Sequence, residues 1–460
     1  TSRKGRLEML PQKDHKQYKR TTAAVRKQRF SFRSGSRESG QTLLLVVAAL
    51  TGILVVAAFA IDVVTLYTFR SEAQRSADAA ALAGAKLFVD SGFTSGQCPP
   101  PATVPSLQTL ITQQATAIAH QNTVGGASAS FAVNVNFPNA ASPSCANPQV
   151  TVGVQRTNLP IYFARIWSRT PRSVRATATA EAYNPSAATS AGGGASAPVA
   201  PRCVKPLLLP NCDPTSGNAS SPPSLCGGGG GGGAATFVNP TTGAVSNPSV
   251  IGTTPSTPMT ADCARSRRGS PCAANAPAAW QYYPLALPPA TNACPNCSSP
   301  SSGFQNNLEC CNPTPLACGQ TLSVDFSLNP NGRRGAARTG GQCAIHQSGG
   351  GGQDWLDTST SPFQMHAGSS NPFLGSNSQT NIQRGDVISS SNSIVTVPLY
   401  DGAPVAGAVT IVGFLQLFVN DVSNSGQMDA TILNVIGCGQ ATGAPVLGAG
   451  SPIPVRLIHN

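Results

Sequence analysis

The longest feature in the hydropathy pattern is an unbroken apolar run near the N-terminus. Thr42 to Ile61 read TLLLVVAALTGILVVAAFAI, twenty residues without a charge. As a helix rising about 1.5 Å per residue they cover roughly 30 Å, the hydrocarbon thickness of a bilayer. Soluble helices rarely stay apolar on every face for that length, so the run predicts a membrane span, and Gly52 is compatible with one. Past it, Arg70 to Asp90 holds strong helix formers and no proline, which predicts that the helix continues beyond the bilayer. Ala73, Ala77, Ala81 and Ala85 recur there every four residues, and Ala80 and Gly84 form a neighbouring ridge of small residues. Such ridges let helix backbones approach closely, as in a filament or a dimer. Alanine also simply favours helix and suits a face laid on a small sheet, and the two readings are open at this level.

Other periodicities follow. Pro105 to Thr123 has helical spacing through Leu107, Leu110, Ile111, Ala115, Ile118 and Ala119. Alternation marks strands at Phe131–Val135, Val150–Val154 and Val174–Tyr183. From Asn184 the composition shifts to Ala, Ser, Gly and Pro and ends in Gly227–Gly233, which predicts a flexible spacer. Beyond it, Leu322–Leu328, Ser393–Tyr400, Val409–Val419, Met428–Gly437 and Ile453–His459 are strand candidates. The expected fold class is α+β. Its parts are a basic tail (1–40), a transmembrane helix (41–69), an exported module with a small antiparallel sheet (70–183), a linker (184–233) and a β-rich, disulfide-bearing domain (234–460).

Composition supports turn-rich β structure over a helical bundle or a charged disordered chain. Charged residues are only 10% of the 460, with 46 glycines and 39 prolines. The net charge of +12 is concentrated: residues 1–40 carry twelve Lys/Arg against three acids. Arg20, Arg26, Lys27, Arg29, Arg33 and Arg37 precede the span, whereas Arg70 and Arg75 are offset by Asp62, Glu72 and Asp78 after it. Positive-inside logic puts the N-terminus in the cytoplasm and the bulk outside. Nothing in the tail interleaves aromatic and basic residues as an RNA-binding segment would. Ala58-Phe59-Ala60 resembles a signal-peptidase site, but the apolar run is longer than a signal core and its basic leader is long, so an anchor is expected. The chain opens on Thr1, and Met9 is one candidate start. All fourteen cysteines lie at or after Cys98, which suits disulfides in an oxidising compartment.

Three clusters carry a family resemblance. Glu38-x-Gly40-Gln41 precedes the span, Ile61-Asp62-Val63 stands at its outer end, and Ala77-Asp78-Ala79-Ala80-Ala81-Leu82-Ala83-Gly84-Ala85 follows. Leu159–Ile166 and Ser173–Ala180 extend the likeness. The segment resembles the N-terminal region of the Tad (Flp) pilus-assembly family, the TadG-like proteins. The resemblance implies a pilin-like arrangement, one long N-terminal helix carrying a small antiparallel sheet. It also makes Gly40 and Gln41 a possible processing site, with one departure: processed pilins resemble a Gly followed five residues later by Glu, and here that position is Leu45.

Other motifs weigh less. Asp357-Thr358-Ser359-Thr360-Ser361 has the D-x-S-x-S spacing of a von Willebrand A-type metal site, but it follows a Gly-rich loop, so an ordinary Ser/Thr turn is expected. Cys294-Pro295-Asn296-Cys297 with Cys310, Cys311, Cys318 and Cys343-x-x-His346 suggests a zinc ribbon, yet a second C-x-x-C is missing and disulfides are favoured. The glycine run has no preceding strand and no Gly-Lys-Ser/Thr, which excludes a phosphate loop. Hydrolase motifs are missing. Arg265, Arg267, Arg268, Arg333, Arg334 and Arg338 are expected to be solvated loop charges.

These readings predict a non-enzymatic, single-pass protein of a bacterial inner membrane, with its bulk periplasmic or extracellular. The resemblance adds a scaffold or tether role in a Tad/Flp-type pilus system. The expected partners are the membrane and other Tad/Flp assembly proteins or pilin-like helices. No cofactor, metal, nucleic acid or small-molecule substrate is expected. A cell-surface binding or adhesive protein without a pilus role is the alternative.

Overall fold

A computed structural model of the 460-residue chain describes residues 39–94, 104–127, 131–138, 147–160, 162–166, 170–183, 199–216, 235–261, 280–290, 300, 302–325, 330–348, 351–360, 363–375, 382–400, 408–439, 446–448 and 451–458. The chain divides between Ala60 and Ile61. In the first unit the described residues form the start of α1 (Ser39–Asp90), whose apolar side chains from Leu43 to Phe59 are largely exposed. The Thr51 hydroxyl is satisfied inside the helix, donating to the Val47 carbonyl at 2.8 Å.

The second unit opens with the rest of α1, and α2 (Val104–Gln121) follows. Strands β1 (Ala132–Asn136), β2 (Gln149–Leu159) and β3 (Arg172–Ala182) form an antiparallel meander. β2 and β3 pair Val150 with Ala180, Val152 with Ala178 and Val154 with Ala176, so one face is a carpet of small side chains. That face is buried in one core with Ala73, Ala77, Ala80, Ala81 and Ala85 of α1 and Leu107, Ile111, Ala115 and Ala119 of α2. Small residues on both surfaces allow the close approach that dispersion attraction rewards.

β4 (Val199–Pro201) and β5 (Leu207–Pro210) come next, in the stretch whose composition predicts a spacer. Leu207, Leu208 and Leu209 are fully buried, and β5 pairs with a strand from the far end of the chain, so the linker expectation fails over 199–216. Four consecutive core positions outweigh the Pro/Ser-rich flanks. Gly227–Gly233 lie outside the described residues.

The remaining elements are β6 (Thr260–Ala261), β7 (Gln281–Pro284), α3 (Gly303–Glu309), β8 (Thr321–Ser323), α4 (Pro330–Ala344), β9 (Trp355–Asp357), β10 (Gln364–His366), β11 (Val387–Ile388), β12 (Ile394–Tyr400), β13 (Ala408–Val422), β14 (Met428–Gly437), β15 (Val446–Gly448) and β16 (Val455–Ile458). The main sheet runs β14-β13-β12-β5-β7-β6, with β8 added to β13. β9, β10 and β11 make a small separate sheet, and β4 pairs with β15. The expected strand at Leu322–Leu328 is seen as β8, and 326–329 lie outside the described residues.

Two helices interrupt a region whose pattern suggests only strands. α3 is capped by Ser302, whose hydroxyl accepts from the Gln305 N–H at 3.1 Å. α4 contains four glycines, a composition that argues for a loop. A methyl at Gly340 would lie 3.2 Å from the Gln305 carbonyl, and one at Gly341 3.1 Å from Met428. These glycines are there for close packing. The same helix corrects the expectation of solvated loop arginines: Arg333 is buried and donates to the Asp325 carbonyl, while Arg334 and Arg338 are exposed on its outer side.

The last strand returns to the first sheet. β16 pairs with β3, Val455 opposite Ala182 and Ile458 opposite Thr179, completing the order β1-β2-β3-β16. Arg456 forms an ion pair with Glu181 and lies over the Tyr183 ring, 4.5 Å from its centroid.

Candidate membrane-anchoring and assembly site

The expected functional residues all lie on α1. Gly40 and Gln41 are helical, and Gln41 is exposed. Farther along, Ala73, Ala77, Ala81 and Ala85 are fully buried within the chain's own core. Gly84 is at the tightest point, where an added Cβ would meet Ile111 Cγ2 at 3.1 Å and Val150 Cγ1 at 3.3 Å. The structure thus seats the ridge on α2 and the meander.

Polar contacts fasten α1 at several levels. Asp62 is buried (3% exposed), and its two carboxylate oxygens accept the backbone N–H groups of Tyr162 (2.9 Å) and Phe163 (3.0 Å). Two N–H donors on one carboxylate offset much of the cost of taking the charge out of water. Glu72 accepts from the Gly125 N–H at 2.7 Å, and the Gln74 amide donates to the Thr177 carbonyl at 3.2 Å. Ser76 donates to the Ala119 carbonyl at 3.0 Å. Asn434 of β14 donates to the Val89 carbonyl at 2.9 Å, tying the end of α1 to the large sheet. Lys86 pairs with Asp90, whose carboxyl is nonetheless raised above its usual range by burial.

The helix ends in a Schellman motif. The Phe93 N–H reaches the Phe88 carbonyl and the Gly92 N–H the Val89 carbonyl, both at 3.0 Å. Gly92 takes φ +71°, and the flanking rings of Phe88 and Phe93 sit 5.3 Å apart.

Residues 40–87 match the family model described as putative Flp pilus-assembly TadE/G-like. This segment is thus similar to the Tad domain. No curated protein and no solved structure matches the chain. The Tad match covers the apolar run and the alanine ridge, and the rest of the chain lies outside it. Among the described residues one helix is long and apolar enough to cross a membrane, and it carries the Tad match. The fold is α+β, with antiparallel sheets and a β-rich C-terminal region.

The secondary motifs resolve simply. The Asp357 carboxylate accepts from the Ser359 hydroxyl and N–H, at 2.6 and 2.9 Å, an Asx turn at the end of β9. Those bonds hold the carboxyl below its usual range. Ser361 lies outside the described residues, as do Cys294, Cys297, Arg265, Arg267 and Arg268. Cys311 is bonded to Cys203 and Cys318 to Cys438, while Cys212, Cys310 and Cys343 are also disulfide-bonded. Among the described residues no three His, Cys, Asp or Glu side chains gather as a metal site would require.

In the sequence Asp62 stands out only as part of a motif, and its role as the acceptor for the β2–β3 turn is visible in the structure alone. The available signal was physical: a lone carboxylate directly after twenty apolar residues must find N–H partners. Glu72 and Ser76 carried no comparable signal, since their partners, Gly125 in a turn and Ala119 on α2, lie 53 and 43 residues away.

Proposed function

We propose that the chain is a membrane-anchored structural component of a Tad/Flp-type pilus system, acting as scaffold or tether in the cell envelope. The observation that carries this reading is the coincidence of the Tad match with the apolar helix and its buried continuation. The Tad family is a structural and assembly family, which fits a non-enzymatic role. α1 crosses the inner membrane with its basic N-terminal tail in the cytoplasm. Its continuation is the spine of a pilin-like exported module, with the Ala73–Ala85 ridge as the seam that seats helix on sheet. The outer face of the same helix stays available to other Tad/Flp helices. Gly40–Gln41 is the possible processing site, where cleavage would free Gln41 as a new N-terminus; Leu45, where processed pilins resemble a Glu, favours a permanent anchor instead.

N-terminal sequencing of protein extracted from membranes, with topology tags at both ends, tests the anchor. An intact cytoplasmic N-terminus supports a permanent scaffold. Cleavage after Gly40 makes the chain a processed, pilin-like subunit, and cleavage after Ala60 overturns the anchor. Co-purification with Tad secretion components tests the pilus role. Capture of a surface ligand in their absence would favour the adhesive reading instead.

A further inference from the structure

Outside α1, the exposed large apolar side chains among the described residues occur at two places. One is the β9–β11 sheet and the segment joining β10 to β11, with Trp355, Val387 and Phe373, where Trp355 already stacks on His366 at 5.2 Å. The other is the β2–β3 connection, where Tyr162 is 61% exposed, Phe163 38% and Ile166 76%. Three apolar residues in one short turn, ending in a 3-10 helix, are costly to leave in water.

The position of this turn is not arbitrary. Leu159, the last residue of β2, is buried; a Cβ built on Gly125 would lie 2.9 Å from Leu159 and 3.5 Å from Phe69 of α1. Three residues on, the chain has descended to Asp62, which holds the Tyr162 and Phe163 N–H groups. From Phe69 to Asp62 is two helical turns, roughly 10 Å at 1.5 Å per residue, towards the apolar run. Asp62 is the first charged residue after that run, so the turn is tied to the helix at the level where hydrocarbon gives way to headgroups. Tyrosine and arginine suit that zone, and Arg165 is exposed in the same turn, available to lipid phosphates.

We propose that this turn is a membrane-interface anchor. Tyr162, Phe163 and Ile166 insert into the leaflet where α1 leaves the bilayer, and Asp62 is the positioning residue that sets their depth. The anchor gives the exported module a second attachment, which restrains its rotation about a single helix. The inference rests on the reading of α1 as a membrane span, and its test separates the two.

The test uses the full-length chain in phosphatidylcholine–phosphatidylglycerol vesicles, labelled under non-reducing conditions with an environment-sensitive fluorophore at a single added cysteine. The variants are Ile166→Cys in the turn, Ile53→Cys within the apolar run and Ser425→Cys in an exposed hairpin. Spin-labelled lipids quench either near the carbonyls or near the chain midpoint, and iodide quenches from water. The Ile166 label is expected to be shielded from iodide and quenched most by the shallow lipid, the Ile53 label most by the deep lipid, and the Ser425 label by iodide alone. Adding Asp62→Ala to Ile166→Cys is expected to weaken the shallow quenching while Ile53 is unchanged. An Ile166 label open to iodide, with Ile53 still quenched by lipid, overturns the interface anchor and leaves the span standing. Shielding of Ile166 without lipid quenching also overturns it, in favour of a protein surface covering the turn. An Ile53 label open to iodide overturns both readings.

Discussion

The hold of Asp62 on the β2–β3 turn can be measured without a membrane. Asp62→Ala removes both bonds to the Tyr162 and Phe163 N–H groups, at 2.9 and 3.0 Å. Hydrogen bonds to charged groups contribute about 1.5–3 kcal/mol each, so the pair contributes about 3–6 kcal/mol to docking the turn. The lower figure applies, because both side chains are already exposed and their freed N–H groups can find water. About 3 kcal/mol is roughly a hundredfold in the opening equilibrium. Hydrogen exchange of the detergent-solubilised full chain reads that equilibrium directly. The peptide containing Tyr162 and Phe163 should exchange about a hundredfold faster in Asp62→Ala, while amides in the β2–β3 ladder, such as those around Val152 and Ala178, keep their protection. Asp62→Asn retains one acceptor and turns a donor on the second N–H, so it should fall between the two. Unchanged exchange in the turn refutes the reasoning, and so does equal acceleration through the ladder, which would mean Asp62 supports the whole sheet.

Gly84→Leu should destabilise the second unit by about 1–3 kcal/mol or more, because even a methyl there meets Ile111 and Val150 at 3.1 and 3.3 Å. Gly52→Ala, with open space around it, should be neutral or slightly stabilising, and thermal unfolding followed by near-UV circular dichroism checks both. Burial lowers the Lys205 ammonium to about 8, with Glu309 opposing the shift. Between pH 8 and 10.5 the folded chain therefore binds fewer protons than the unfolded one, so stability rises with pH in that window. Denaturant titrations should show Lys205→Met losing up to about 3 kcal/mol relative to the parent as pH climbs from 8 to 10.5, and a parallel pH profile would contradict this. Loss of the Cys203–Cys311 bond, which closes a separation of 108 residues, should cost about 2–5 kcal/mol in Cys203→Ser/Cys311→Ser by the same titration.

Features that rest on local pattern were legible in the sequence. The apolar run, its continuation without proline to Asp90, the helix at 104–121 and the strands at 132–136, 149–159, 172–182, 394–400, 408–422 and 428–437 all follow from hydrophobic periodicity. The Tad match at 40–87 lies on Gly40-Gln41, Ile61–Val63 and Ala77–Ala85, whereas Leu159–Ile166 and Ser173–Ala180, to which the resemblance extends, fall outside it. Helix α4 was not legible, because glycines normally signal turns and here Gly340 and Gly341 are selected for contact with α3 and Met428. The strand at Leu207–Pro210 was hidden by its Pro/Ser-rich surroundings, since its partners among the described residues, β7 and β12, come from 70 to nearly 200 residues later.

The sequence by itself determined the apolar helix, its continuation and the class of each long element, because those depend on neighbours within a turn or a strand. Only the tertiary structure decided what α1 rests on. The alanine spacing suits a partner helix and a sheet equally, and the tertiary structure supplies both: Leu107, Ile111 and Ala115 of α2, and Val150, Val152 and the small residues of β3, share one core with it. The same holds for Asp62 and for β16. A carboxylate does not specify which distant N–H groups will satisfy it, and a C-terminal strand does not specify which edge it will complete. Desolvation makes such partners necessary, and chain topology selects them.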